Sequence, residues 1–277
     1  MSTTATTPTT PTSPTSTAAP RVTAGRVVTS EWIKARSLRS TAWTLVALAV
    51  SLLGTGAFAA VGIVVQEDPP GSEALAADPT GGVLTGVSPA QLAAIALGVL
   101  LVSGEYRSGT IRSSLTAVPS RLPLVWAKAA VGGLVTTVVS LVALLATFVV
   151  ARSVVAVEGL SISPTTPGVA RAVLGAALYL GLTAVLATGF GWLLRSTAGA
   201  VAAVVALLHL LPATALLVPA PVAAAVLPWF PSNAGSAVLQ VAPVAGGPGP
   251  WTGLAVYAAW AAVALGAGAL LLTRRDA

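Results

Sequence analysis

The chain has 277 residues, of which 55% are hydrophobic and 8% charged, with a formal net charge of +6 and mean hydropathy +0.89. A soluble domain carries about 25% charged residues, so this composition has too few charges to cover a surface in water. It calls for lipid around the apolar side chains. Cysteine is absent, which removes a disulfide framework, a thiolate metal site and a cysteine nucleophile. The positive charge does not point to nucleic acid, because the basic residues stand at the ends of apolar runs rather than on one face, a pattern of membrane topology.

Residues 1–20 are almost wholly Ser, Thr, Pro and Ala. Such a tract cannot bury enough apolar surface to offset its ordering entropy, and it reads as a disordered cytosolic tail. It does not read as a signal peptide, since the first apolar run begins near Ala42 and is too long for that role.

Residues 21–40, RVTAGRVVTSEWIKARSLRS, read as an amphipathic helix. Val28, Trp32 and Ala35 recur at helical spacing, with Val27 and Leu38 near that face, while Lys34, Arg36 and Arg39 form a cationic side. The expectation is an interfacial helix, apolar face in the headgroup layer, leading into the first span. Glu31 can pair with Lys34 one turn on, worth a few tenths of a kcal/mol.

A spanning helix needs about 20 apolar residues. The charge-poor runs supply six, at about 42–65, 83–103, 129–151, 172–194, 197–218 and 251–273. The last two come from dividing the uncharged stretch Ser196–Thr273, which holds eight prolines. With the N-terminus in the cytosol, twelve Lys and Arg fall inside and only Arg152 and Arg171 outside. Glu67, Asp68, Glu73 and Asp78 take the first outer loop. That bias predicts an all-α membrane protein with both ends cytosolic. Trp43, Trp126, Trp192 and Trp251 fall near span ends, where indole rings favour the interface. Arg152 and Arg171 are expected to snorkel. Residues 219–250 are uncharged, apolar and proline-rich. One or two short helices dipping back into the outer leaflet are expected there.

Between the second and third spans lies a basic loop. Glu105 and Tyr106 end the second span, Gly109 permits a sharp turn, and Thr110 suits an N-cap. Residues 111–118 can form a two-turn helix stopped by Pro119. Pro123 suits the first turn of the next helix. Ile111, Ser114 and Leu115 share one face, with Arg112 elsewhere.

The segment GEYRSGTIRSSLTAVPSRLPLVWAKA resembles the E-x-x-x-G-T loop of ABC-2 type permeases, the membrane subunits of ABC transporters. SEWIKARSLRSTAWTL resembles the N-terminal signature of such permeases in high-GC bacteria, and LPWFPSNAGSAVL their outer segment before the last span. The resemblance runs from about Val27 to Arg275. It implies that the short loop helix engages a separate cytosolic ATP-binding subunit. Glu105, Gly109 and Thr110 are the carried-over positions, Arg121 and Lys128 match a basic pair, and Ile111, Arg112 and Leu115 complete the contact. Arg112 departs from the family, where an acidic residue often follows the G-T pair. The N-terminal helix, through Val28, Glu31, Trp32, Lys34 and Arg36, would be the second element that the partner presses.

The chain lacks a G-x-x-x-x-G-K-[ST] phosphate loop. The resemblance therefore places ATP and Mg in the partner subunit, with no cofactor in this chain. His209 is the only histidine, and no H-E-x-x-H motif occurs; it reads as a packed polar residue. No carboxylate falls within a predicted span, so a proton relay through the bilayer has no candidate. The expectation is a permease of the bacterial plasma membrane, in a homodimer or with a paralogue, exporting a hydrophobic or amphipathic cargo. A membrane scaffold or sensor that recruits a cytosolic protein through the same basic elements is the alternative.

Overall fold

A computed structural model describes residues 23–65, 79–117, 121–158, 165–241 and 246–274, which are helical with no strand among them. The tail 1–20, Arg21, the acidic residues of the first outer loop, Val118, Pro119 and Arg275 lie outside the described residues.

In chain order the helices are α1 (Ala24–Ser37), α2 (Arg39–Val65), α3 (Pro79–Leu84), α4 (Val87–Ser108), α5 (Ile111–Ala117), α6 (Leu122–Val155) and α7 (Val169–Leu194). There follow α8 (Thr197–Ala213), α9 (Ala220–Val226), α10 (Pro231–Ser236) and α11 (Pro250–Arg274). Five helical stretches are long and apolar enough to cross a bilayer, and a sixth is added if a bent pair counts as one. The chain is therefore a multi-pass membrane protein.

The central helix is α7, which packs against α4, α6 and α11. Its contacts are close because glycines leave backbone exposed. A Cβ on Gly189 would stand 2.7 Å from the Leu265 backbone nitrogen on α11. Gly98 on α4 packs as closely on Ala184 and Ala187 of α7. Small residues of this kind let helices approach in a medium that offers no hydrophobic drive between them. Hydrogen bonds add to the same seams. Gln91 Nε2 donates to Tyr179 Oη at 2.6 Å, and the hydroxyls of Thr183 and Tyr257 stand 2.8 Å apart. Thr197 Oγ1 donates to Ser103 Oγ at 2.8 Å, tying the start of α8 to α4.

The observed helices differ from the predicted spans in informative ways. α4 continues to Ser108, so Glu105 belongs to a spanning helix and not to a loop, and the expectation of no carboxylate on a span is corrected. α6 has 34 residues, about 51 Å at ~1.5 Å per residue. That exceeds the ~30 Å hydrocarbon core, so the helix projects beyond the bilayer and carries Lys128 inside its length. The predicted fifth span, 197–218, is shorter: the apolar helix is Thr197–Ala213, about 25 Å. Pro212 has no N–H for the carbonyl one turn back, and the turn before it, Ala206–Leu210, is π-helical. A 3-10 segment, Thr214–Leu217, then ends the run.

Beyond it, α9 with its 3-10 extension to Trp229 meets α10 and its extension to Leu239 at a bend of 60°. Phe230 is extended at the corner and Pro231 opens α10. This pair docks on the bundle rather than standing apart: α10 packs on α11, and Gly235 sits against the rings of Tyr179 and Tyr257. Arg171 donates from Nη2 to the carbonyls of Gln240 and Val241, both at 2.8 Å.

Candidate functional site: a buried charge ring between four helices

The sequence places a positive-φ residue between α4 and α5, and Gly109 has φ 74° there. Thr110 follows; its carbonyl accepts the Ser114 N–H at 3.1 Å, and its hydroxyl stands 2.9 Å from Ser108 Oγ. The connection is so short that α5 must fold back on the ends of the spans. Ile111 is its anchor. It is buried in a cluster with Val27 of α1, Val102 of α4, Leu124 and Val125 of α6, and Leu272 of α11. Arg112 and Ser113 point outward and are exposed. Leu115 lies on α5, with its side chain outside the described atoms.

α1 packs along α6 through one face. Val27, Glu31 and Ala35, at i, i+4 and i+8, are buried, whereas Val28 and Trp32 are exposed. Arg36 is also exposed. Of the residues near the expected apolar face, Val27 and Ala35 meet the protein, and Val28 and Trp32 point away from it. In a bilayer, lipid is as good a solvent for Trp32 as protein is, while Glu31 has to be paired and finds its partners inward. Nor does α1 run directly into the first span, because Leu38 is extended (φ −81°, ψ 123°) and separates α1 from α2.

Glu31 meets Lys128 of α6, whose Nζ donates to Glu31 Oε2 at 2.5 Å and to Glu105 Oε1 at 2.7 Å. Lys34 closes the ring. Its Nζ donates to Glu31 Oε1 at 2.8 Å, to Glu105 Oε1 at 3.0 Å and to Ser114 Oγ at 3.0 Å. Two carboxylates and two ammoniums therefore join α1, α4, α5 and α6 at one point. Lys128 is 2% exposed and Glu31 4%, but the Lys34 side chain is 40% exposed. The second oxygen of Glu105, Oε2, is buried without a hydrogen-bond partner, so that carboxylate relies on both ammoniums at Oε1.

Burial pulls the Lys34 pKa down, but its hydrogen bonds to Glu31 and Glu105 and their charges outweigh this and hold it above its ordinary 10.5. The group is charged throughout the physiological range. The ring is hence a fixed electrostatic tie. Among the described residues no three His, Cys, Asp or Glu side chains gather into a metal site.

The ring has neighbours of the same kind. Arg121, just before α6, donates from Nη1 to the Leu272 carbonyl on α11 at 2.8 Å. The guanidinium of Arg195 lies 5.3 Å from the centre of the Tyr106 ring, a cation–π distance, and Tyr106 meets Trp192 edge-on at 6.1 Å. This end of the bundle is laced from α1 through α11. His209 lies apart, in the π-helical turn of α8, with Nδ1 buried and unpartnered.

Of the residues singled out from sequence, the fold brings together Glu31, Lys34, Glu105 and Ile111. Gly109 and Thr110 shape the turn beside them. Val28, Trp32, Arg36 and Arg112 face away. The functional pairing that sequence reasoning missed is Lys128 with Glu31 and Glu105. A signal existed: with Pro123 in the first turn, Lys128 falls well inside an apolar helix, where a cation needs a partner. No family model and no curated protein matches the sequence.

Proposed function

We propose that this chain is the membrane permease subunit of an ATP-driven transporter of the ABC-2 type, sitting in a bacterial plasma membrane with both ends cytosolic. The observation that carries the reading is the buried ring of Glu31, Lys34, Glu105 and Lys128. It fastens the helix before the first span and the short helix α5 to two spanning helices, α4 and α6. A cytosolic ATPase that pushes on the outer face of α5, where Arg112 and Ser113 are exposed, displaces a helix it cannot bend locally. Ile111 and the Ser114–Lys34 bond pass that displacement to α1, α4 and α6 together. The loop sequence around Glu105, Gly109 and Thr110, with its resemblance to the coupling loop of ABC-2 permeases, supports the same assignment.

On this reading ATP and Mg are bound by the partner, and two permease chains, identical or paralogous, stand side by side. The bent pair α9–α10 is a re-entrant element of the outer leaflet. Alternating access carries the cargo. The charged side chains of the described spans, Glu105, Arg107, Lys128, Arg152 and Arg171 among them, stand toward the helix ends and none lies mid-span, which favours a hydrophobic or amphipathic cargo and export. The test is purification of the tagged chain in lipid nanodiscs, with mass spectrometry of what accompanies it. The reading requires a stoichiometric subunit carrying a phosphate loop, lost when residues 109–118 are deleted from a chain that still inserts. A chain that purifies without such a subunit, or with a partner lacking a phosphate loop, is a scaffold or sensor instead.

A further inference from the structure

The charge ring forms one wall of a cavity of about 510 Å³ between α1 and α4, within the ~300–1,000 Å³ range of ligand pockets. The cavity is two-sided. One side is apolar, with Leu38 from the break after α1 and Leu100, Leu101 and Gly104 from α4. A Cβ built on Gly104 meets nothing within 4 Å, so the helix surface there borders open space. The other side is polar, with Arg107, Ser108 and Thr110 at the end of α4 and the turn beyond it.

Its charge is unequal to the ring's. Within the ring two carboxylates balance two ammoniums. Arg107 lies outside it, exposed, and makes no ion pair among the described residues. The cavity is left with one uncompensated positive charge, a guanidinium suited to phosphate oxygens. Exposed Trp32, Trp43 and Trp126 stand on the helices at this end, and indoles mark the headgroup level of a bilayer. A small hydrated anion would satisfy Arg107 but would leave the leucine wall wet. A singly charged phosphodiester carrying acyl chains satisfies both sides.

We propose that this cavity binds an anionic glycerophospholipid of the adjoining leaflet, its phosphodiester on Arg107 and an acyl chain along Leu100, Leu101 and Gly104. The lipid then fills the space between α1 and α4 beside the charge ring, so the membrane itself supports the seat of α1. This rests on membrane embedding alone and holds whether or not the chain transports anything.

The experiment is native mass spectrometry of the delipidated full chain in detergent, titrated with phosphatidylglycerol, phosphatidylcholine or glycerol phosphate. Three variants accompany it: Gly104→Phe, which fills the open space; Arg107→Gln, on the exposed charge; and Arg152→Gln, which removes a cation at the other end of α6. One phosphatidylglycerol per chain is expected, bound about tenfold more tightly than phosphatidylcholine, equivalent to ~1.4 kcal/mol. Arg107→Gln abolishes that preference, Gly104→Phe abolishes the bound lipid, and Arg152→Gln changes neither. A preference that survives Arg107→Gln, or falls equally in Arg152→Gln, places the lipid elsewhere and overturns the proposal. So does equal binding of glycerol phosphate, which would mark a phosphate site without a lipid. Arg107→Gln alters an exposed side chain and keeps the test decisive if Gly104→Phe fails to fold.

Discussion

Replacing Lys128 with Met leaves two buried carboxylates facing one half-exposed ammonium. Lys128 is 2% exposed and holds Glu31 at 2.5 Å and Glu105 at 2.7 Å. Breaking a buried pair from one side costs roughly 3–5 kcal/mol, because the remaining charge loses its compensation in a medium that does not solvate it. The least costly relief is for α1 to lift off α6 and carry Glu31 to water. At ~1.4 kcal/mol per tenfold, that raises the open population of α1 by up to roughly two to three and a half orders of magnitude. The chain has no cysteine, so an Ala35→Cys substitution puts a single thiol on the buried face of α1, and its rate of modification by a soluble reagent reads the opening. Lys34→Met is the internal comparison. With its side chain 40% exposed, Lys34 leaves a gap that water can reach, and its loss is expected to cost less than that of Lys128. Adding Glu31→Leu to Lys128→Met leaves Lys34 and Glu105 as a matched pair and restores most of the protection. If Lys128→Met alone changes the rate by less than about threefold, the ring acts as a solvated surface pair and the tie between α1 and the spans is refuted.

Three further outcomes follow from the same geometry. Gly109→Val forces a β-branched residue to φ 74°, a cost of roughly 1–2 kcal/mol; it should unseat α5 while leaving the global unfolding midpoint in detergent nearly unchanged, and loss of α5 order is checked by a spin label at Ser113. Gly189→Val drives a side chain into the α11 backbone, where a Cβ already meets Leu265 N at 2.7 Å, and should destabilise the bundle by about 1–3 kcal/mol in a denaturation series. The pH dependence of α1 docking has a definite sign. Lys34 has its folded pKa raised above 10.5, so its contribution is fully present below that value and is lost as pH rises through the folded pKa. Thiol protection at Ala35→Cys should therefore show no Lys34-dependent change near neutrality and a Lys34-dependent fall only in strong alkali, absent from the Lys34→Met background.

The spans were legible because they rest on one-dimensional facts: charge-free runs of the right length between Lys and Arg residues. The turn at Gly109 and the short helix after it were legible for the same reason, since glycine, threonine and proline act on their immediate neighbours. The side of α1 that meets the protein was not. Hydropathy marks Val28 and Trp32 as a headgroup-layer face but does not reveal that the charged Glu31 takes the protein side. Local spacing offered Glu31 only Lys34, three residues away. Its buried partner, Lys128, is 97 residues distant and becomes visible only when α1 lies on α6. The fifth span was read too long because proline at 212 acts on the carbonyls of the preceding turn, an effect that a count of apolar residues does not register.

On the proposed function, the outer face of α5 receives the thrust of a cytosolic ATPase. Arg112→Cys in the otherwise cysteine-free chain, fitted with a photoreactive crosslinker in intact cells, probes that contact. The expected outcome is a crosslinked product with a phosphate-loop ATPase, absent when the same probe sits at exposed Val142 of α6. No product from position 112, or a product with a protein that lacks a phosphate loop, would contradict it.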